Sequence, residues 1–239
     1  MNATLTTTLR GLVAALTCLL VLGACSPLDQ FGKGEATKAT TEETAAPEQE
    51  KFVSQFTRDG TYQSHVDVDG VDFVYTIWPT KSTPRTNEWY PRGSKFFSFT
   101  FTAYDLHREL RDKFKTKRKV YLGNIRVTST TATTSGAVET PYLLDEEASR
   151  ITFDPEPVKS RMGMLVTAPK GAFELRNQQI GELAKDTIGL TLVFEASVRI
   201  QRSAGSKRYD TEVIRQEVPI AIFASDTPTV ASEIPINAN

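Results

Sequence analysis

Between residues 188 and 201 every second side chain is apolar or small: Leu190, Leu192, Phe194, Ala196, Val198 and Ile200. A repeat of two places these six on one face of an extended strand. That commits this part of the chain to a sheet with one buried side. Ser203-Ala204-Gly205-Ser206 then turns the chain, and RYDTEVIRQEVPIAIF, residues 208–223, is predicted to return antiparallel. Pro219 has no N–H for a central ladder, so this second strand is expected at an edge or broken. The same period appears earlier. Tyr62, Val66 and Val68 share one parity, and Val71, Phe73, Tyr75 and Ile77 follow Asp69-Gly70. Asp-Gly between two alternating runs supplies the positive φ angles that a tight hairpin turn needs, which predicts a hairpin of 61–68 and 71–78. In KFFSFTFTAY, Phe97, Phe99, Phe101 and Ala103 point one way and Ser98, Thr100, Thr102 and Tyr104 the other. VYLGNIRVTSTT reads as a further strand with Gly123-Asn124 as a bulge or turn. Shorter strands are expected at 149–154 and 161–168.

Helical signals are sparse. Leu106, Leu110 and Phe114 recur every four residues behind a possible cap, Asp105, which predicts a short helix over 105–116. Residues 172–186 are ambiguous, and QQIGELAKD within them is a candidate second helix. Many short strands separated by turn signals imply a mainly β fold. The expected architecture is an antiparallel β-sandwich or open barrel, immunoglobulin-like, with one or two short helices. No internal repeat is visible. A division into two smaller β domains near 135–147 is an alternative.

The amino end is of another kind. Arg10 precedes an uncharged run from Gly11 to Ala24 that closes on small residues. This is the layout of a secretory signal, and the run is short for a membrane span, which needs ~20 predominantly apolar residues. Leu22-Gly23-Ala24-Cys25 resembles the lipobox of bacterial lipoproteins. The resemblance covers these four residues and the run before them. It implies that the Cys25 thiol receives a diacylglyceryl group, that cleavage falls just before it, and that the new amino group is acylated. Several chains on one residue anchor stably where a single chain binds only marginally. Ser26 follows the cysteine rather than aspartate; by analogy with Gram-negative lipoproteins this favours the outer membrane over retention in the inner one, if the organism has both.

Four segments follow from this reading: a signal peptide at 1–24, a lipidated cysteine with a disordered linker at 25–51, a β-sandwich domain at 52–224, and a tail at 225–239. The linker is rich in Thr, Glu, Ala and Gly and poor in large apolar residues, so it cannot offset the entropy of ordering. A flexible tether of ~25 residues spans roughly 25–30 Å. Cys18 would leave with the signal, and Cys25 would be the only cysteine kept. A disulfide framework and a thiolate nucleophile are thereby excluded for the domain.

The remaining chemistry is thin. The net charge of −1 is no argument for nucleic acid. The two histidines, His65 and His107, fall on different predicted elements and are expected to be solvated surface groups. Asp67, Asp69 and Asp72 are explained by turn chemistry, since the bidentate glutamate of a calcium loop is missing: the twelfth position counted from Asp67 is Trp78. There is no Gly-x-Ser-x-Gly elbow and no Gly-rich phosphate loop. Two candidate contact surfaces remain. The first runs from Arg108 to Lys119, with seven basic and two acidic residues, and includes Arg111, Lys113, Lys117 and Arg118. It suits anionic headgroups, an anionic glycan or an acidic partner. The second is the aromatic, proline-containing stretch 78–93 with Trp78, Trp89 and Tyr90, which suits a sugar or protein platform. The expected function is that of an envelope lipoprotein at the cell membrane or outer membrane, outside the cytoplasm. Its partners would be the membrane, through the lipid, and an envelope protein or glycan, with no cofactor and no catalytic residue assigned. A glycan- or small-ligand-binding lipoprotein is the alternative, and a hydrolase with a carboxylate site the third.

Overall fold

The computed structural model of the chain describes residues 55–80 and 85–223. The expected signal peptide, Cys25, the linker at 25–51 and the tail at 225–239 lie outside the described residues. Ten strands follow in order: β1 Tyr62–Val68, β2 Val71–Pro79, β3 Lys95–Asp105, β4 Val120–Thr133, β5 Leu143–Glu147, β6 Lys159–Ser160, β7 Gly163–Leu165, β8 Phe173–Ile180, β9 Thr187–Gln201 and β10 Tyr209–Ala221. They form two sheets, β1-β2-β3-β8 and β10-β9-β4-β7-β6, with β5 also paired to β4. The two sheets form a β-sandwich without closing into a barrel, and at one side they meet where Ala103 of β3 bridges Thr167 just beyond β7.

The period of two explains the layers. Phe97, Phe99 and Phe101 of β3, Phe73, Tyr75 and Ile77 of β2, and the six alternating residues of β9 all bury their side chains between the sheets. Phe194 is met by Phe99, Tyr75 and Phe97 at ring-centroid distances of 5.0, 5.7 and 6.4 Å. The Tyr75 hydroxyl crosses from one sheet to the other and donates to the Ile214 carbonyl at 2.8 Å. Asp69 and Gly70 take φ of 51° and 69°, and the predicted hairpin has the register Val68 to Val71. The bulge expected in β4 also occurs. Pairing with β9 shifts between Leu122 and Asn124. The extra residue changes the inward parity from Val120 and Leu122 to Ile125 and Val127. β10 is an edge strand, which accommodates Pro219.

Three expectations are corrected. Asp105 ends β3, and residues 106–116 form turns and a 3-10 turn at Phe114–Thr116, not a helix. Leu106 and Leu110, the intended helix stripe, are 56% and 57% exposed. The inner faces of both sheets are already filled by strand residues, and a helix of three turns with nothing to pack on is marginal. Residues 149–154 carry no strand: the strand there is β5, and a four-residue helical turn, α1 (Ala148–Ile151), follows it. Phe153 points outward beneath Arg176, whose guanidinium lies 3.5 Å from the ring centroid. The QQIGELAKD segment belongs partly to β8, which pairs with β3, and then to a loop. Among the described residues, no helix is long and apolar enough to cross a membrane.

The registers give the sandwich two poles. The chain from Gln55 into β1, the loop before β3, the β8–β9 connection and the end of β10 at Phe223 share one of them, the terminal pole; there the Phe223 amide donates to the Trp89 carbonyl at 2.8 Å. The Asp69-Gly70 turn, the 105–119 connection and the β9–β10 turn share the other, the loop pole. The eleven residues of β3, at ~3.3 Å each, separate the poles by roughly 35 Å.

Candidate functional site

The aromatic stretch does not assemble into a platform. Trp89 is fully buried in the core, which corrects its assignment as a contact residue: its ring fills the terminal end of the sandwich. Trp78 is half-buried on the outer side of β2 opposite Ser98, and Tyr90 is half-buried. The loop is organised instead around Lys95, which is 2% exposed. Its Nζ donates to the carbonyls of Gly93, Pro91 and Tyr90 at 2.6, 2.8 and 3.3 Å, so each of the three ammonium donors has an acceptor. Burial lowers its pKa to about 8, against a smaller opposing pull from Glu182. Lys95 borders a cleft of about 520 Å³ with Arg92, Ser94, Gln179 and Glu182.

The basic segment is divided by the fold. Lys117 and Arg118, both expected at a contact surface, are buried at 3% and 8% exposure, and that assignment is corrected too. Arg118 binds the last residue of β3. Its Nε and Nη2 donate to Asp105 Oδ1 at 3.1 and 3.0 Å, and its backbone N–H to Oδ2 at 2.8 Å. Its Nη1 and Nη2 also reach the Asp69 and Gly70 carbonyls at 2.9 and 2.7 Å. Burial alone would raise the Asp105 carboxyl, but the hydrogen bonds and charge of Arg118 outweigh it and hold the group below its ordinary value. Lys117 turns its Nζ back onto the Glu109 carbonyl. Lys170 lies 5.2 Å from the centroid of the Phe114 ring. One buried ion pair and these closures therefore hold the 105–119 loop against the hairpin turn.

With its ends fixed, the loop exposes what remains. Arg111 and Lys113, the other two predicted contact residues, are exposed, as are Arg108 and Lys115. None of the four has an acidic partner within 4 Å among the described residues. Leu106 and Leu110 stand among them and border a cleft of about 340 Å³ with Tyr104, Lys117 and Ala168. A second cleft of about 240 Å³ joins Arg108 and Thr116 to Arg202 and Ser203 of the β9–β10 turn. That turn adds exposed Lys207 and Arg208, while Arg202 is committed to Asp210 at 2.6 Å. The acidic side chains nearby are largely engaged. Asp67 accepts from the Gly70 amide at 2.9 Å, and Asp72 holds His65 Nδ1 at 2.7 Å. His107 Nδ1 lies 3.1 Å from Arg118 Nη2 and 3.4 Å from Asp105 Oδ1. Both histidines are largely exposed, as expected.

Two structural groups escaped the sequence reading, Lys95 and Asp105. Both share the inward parity of Phe97, Phe99, Phe101 and Ala103, and that parity was the available signal. Among the described residues no group of three His, Cys, Asp or Glu side chains is placed to hold a metal ion. No protein-family model matches the chain, and no curated protein matches it.

Proposed function

We propose that this chain is a lipid-anchored envelope protein whose β-sandwich holds a binding surface, the loop pole, away from its attachment point. The observation that carries the anchor is Leu22-Gly23-Ala24-Cys25 at the end of a short apolar run behind Arg10. Lipid on Cys25 fixes the compartment, and the following polar stretch sets the reach. Gln55 and Phe223 at the terminal pole support the orientation, because the chain enters the sandwich roughly 35 Å from the 105–119 loop. A domain confined to an envelope surface meets partners there at raised effective concentration. Binding or scaffolding is therefore the role assigned to the domain. Trp89 in the core weighs against an aromatic sugar platform at 78–93.

The test is fractionation of the expressed full chain beside Cys25→Ser, with labelled fatty acid supplied to the cells. Label on the wild type alone, with wild-type protein in membranes, supports the anchor. Equal labelling, or no label on either protein, refutes it. Crosslinking from native membranes then identifies what the loop pole touches, and crosslinks confined to the terminal pole would count against the orientation.

A further inference from the structure

We propose that the loop pole is a docking surface for an anionic lipid bilayer, a second membrane contact at the end of the sandwich opposite the Cys25 tether. It deepens the reading of that pole given above and rests on it for orientation.

The pole combines three properties. Leu106 and Leu110 are more than half exposed although their loop is closely tied at both ends. Six cations are exposed at this pole without ion pairs among the described residues, Arg108, Arg111, Lys113 and Lys115 on the leucine loop and Lys207 and Arg208 on the β9–β10 turn. The leucine loop and the β9–β10 turn border one cleft, so both contribute to one end of the molecule. Apolar side chains and unpaired lysine and arginine exposed at one end of the molecule match the boundary between headgroups and acyl chains, where leucine can insert and the cations can meet phosphates. An acidic protein partner would account for the cations. It would not by itself account for two exposed leucines among those cations. The opposing charges are Glu109 and Asp112 on the loop and Asp67, Asp69 and Asp72 on the hairpin. All of these acids keep their charge, yet the cations remain in excess: residues 105–119 carry seven basic and three acidic side chains, residues 202–210 three basic and one acidic, and the hairpin turn three acidic, a net of +3 for this pole. Arg118 and Asp105 act as positioning residues, since they fix the loop without projecting from it.

The full lipidated chain is reconstituted into phosphatidylcholine donor vesicles, and capture of fluorescent acceptor vesicles in trans is measured. Acceptors are pure phosphatidylcholine or phosphatidylcholine with 30% phosphatidylglycerol. Retention of the protein on the donors reports the anchor separately; protein that does not stay on them fails the earlier reading, and capture is then read with the protein held on donors by a C-terminal tag. The expected result is capture of phosphatidylglycerol acceptors only, falling with added salt. Each of Arg108→Ala, Arg111→Ala, Lys113→Ala and Lys115→Ala should weaken capture about fivefold. Leu106→Ser with Leu110→Ser should weaken it about tenfold while the salt dependence persists. These exposed positions leave the core intact, which the unfolding midpoint checks. Equal capture of both acceptors, no capture by anchored protein, or capture indifferent to these substitutions overturns the proposal. So does capture abolished by the leucine changes in an acidic-peptide pull-down as strongly as on vesicles, which would make the pole a protein-binding site.

Discussion

Replacing Arg118 with Met should cost about 3–5 kcal/mol, because it leaves the Asp105 carboxylate buried with its charged partner gone. The arginine makes two side-chain bonds to Asp105 Oδ1 and two to the carbonyls of the Asp69-Gly70 turn, so β3, the hairpin turn and the start of β4 all lose a partner at once. Against a total stability of ~5–15 kcal/mol, this is a large fraction and well above the resolution of a urea titration. Asp105→Leu should cost a similar amount for the mirror-image reason, an unpaired buried guanidinium. The double variant should cost less than the sum by about 2 kcal/mol or more, since it leaves no orphaned charge. Urea unfolding followed by fluorescence reads this directly, with the fully buried Trp89 reporting on the core. The acid side gives a second, independent sign. In the wild type the folded-state pKa of Asp105 is depressed, so its contribution is present above the unfolded value near 3.9 and is lost as pH falls through the folded one. In Arg118→Met the guanidinium bonds and charge are lost while the backbone N–H bonds from residues 118 and 107 remain, so the carboxyl should move upward from its wild-type value and the variant should lose less stability than the wild type as pH falls. Single losses below ~1 kcal/mol that simply add, with unchanged acid limbs, would refute the buried-pair account and make this an ordinary screened surface bridge.

Other outcomes follow from the same structure. A Cβ at Gly70 would stand 2.4 Å from His107 Cε1 at a φ of 69°, so Gly70→Ala should lower stability by about 1–2 kcal/mol. His107→Ala in that background should restore part of it in thermal melts, but not the share due to the backbone. Lys95 is protonated up to about 10.4 when unfolded but only to about 8 when folded, so the unfolded state binds more protons in between. Stability should rise across pH 8–10.5 on this account, by about 2 kcal/mol once the open cleft beside it screens the charge, and the rise should vanish in Lys95→Met. Tyr75→Phe removes the inter-sheet bond to the Ile214 carbonyl and should cost about 1–2 kcal/mol in urea titrations.

The strands were legible because each of the long ones has one buried face, and burial on one face writes a period of two into the sequence. β9 and β3 carry that period without interruption, and β2 and β4 carry it up to the turn and the bulge that Asp69-Gly70 and Gly123-Asn124 announced. The missed elements have no such face. β5 exposes most of its residues, and β6 is two residues held by two pairings, too few to impose a pattern, whereas β7 lies within the strand expected at 161–168. The false helix at 105–116 arose because exposed leucines at a spacing of four look the same as a buried stripe in sequence. Only the filled sheet faces show that there was nothing for them to cover.

The candidate site was legible in composition but not in geometry, and charge density alone could not separate its two kinds of cation. Arg118 stands two residues before Val120, on the inward parity of the first part of β4, and Asp105 continues the inward parity of β3. Reading both parities outward past the last apolar residue would have paired an inward acid with an inward base at the same end of the sandwich. Arg111 and Lys113 fall on no strand parity at all, and these are the cations that the fold leaves exposed. A cation in phase with a strand is therefore a candidate for the interior, and a cation out of phase, in a connection closed by that interior pair, is a candidate for contact unless the loop's own backbone claims it, as the Glu109 carbonyl claims buried Lys117. On this argument the buried pair and the exposed cations are one device. The pair fixes where the loop stands, and the loop presents the leucines and positive charge that a partner surface would meet. Loss of Arg118 should then weaken vesicle capture as well as stability, even though its guanidinium never reaches the lipid.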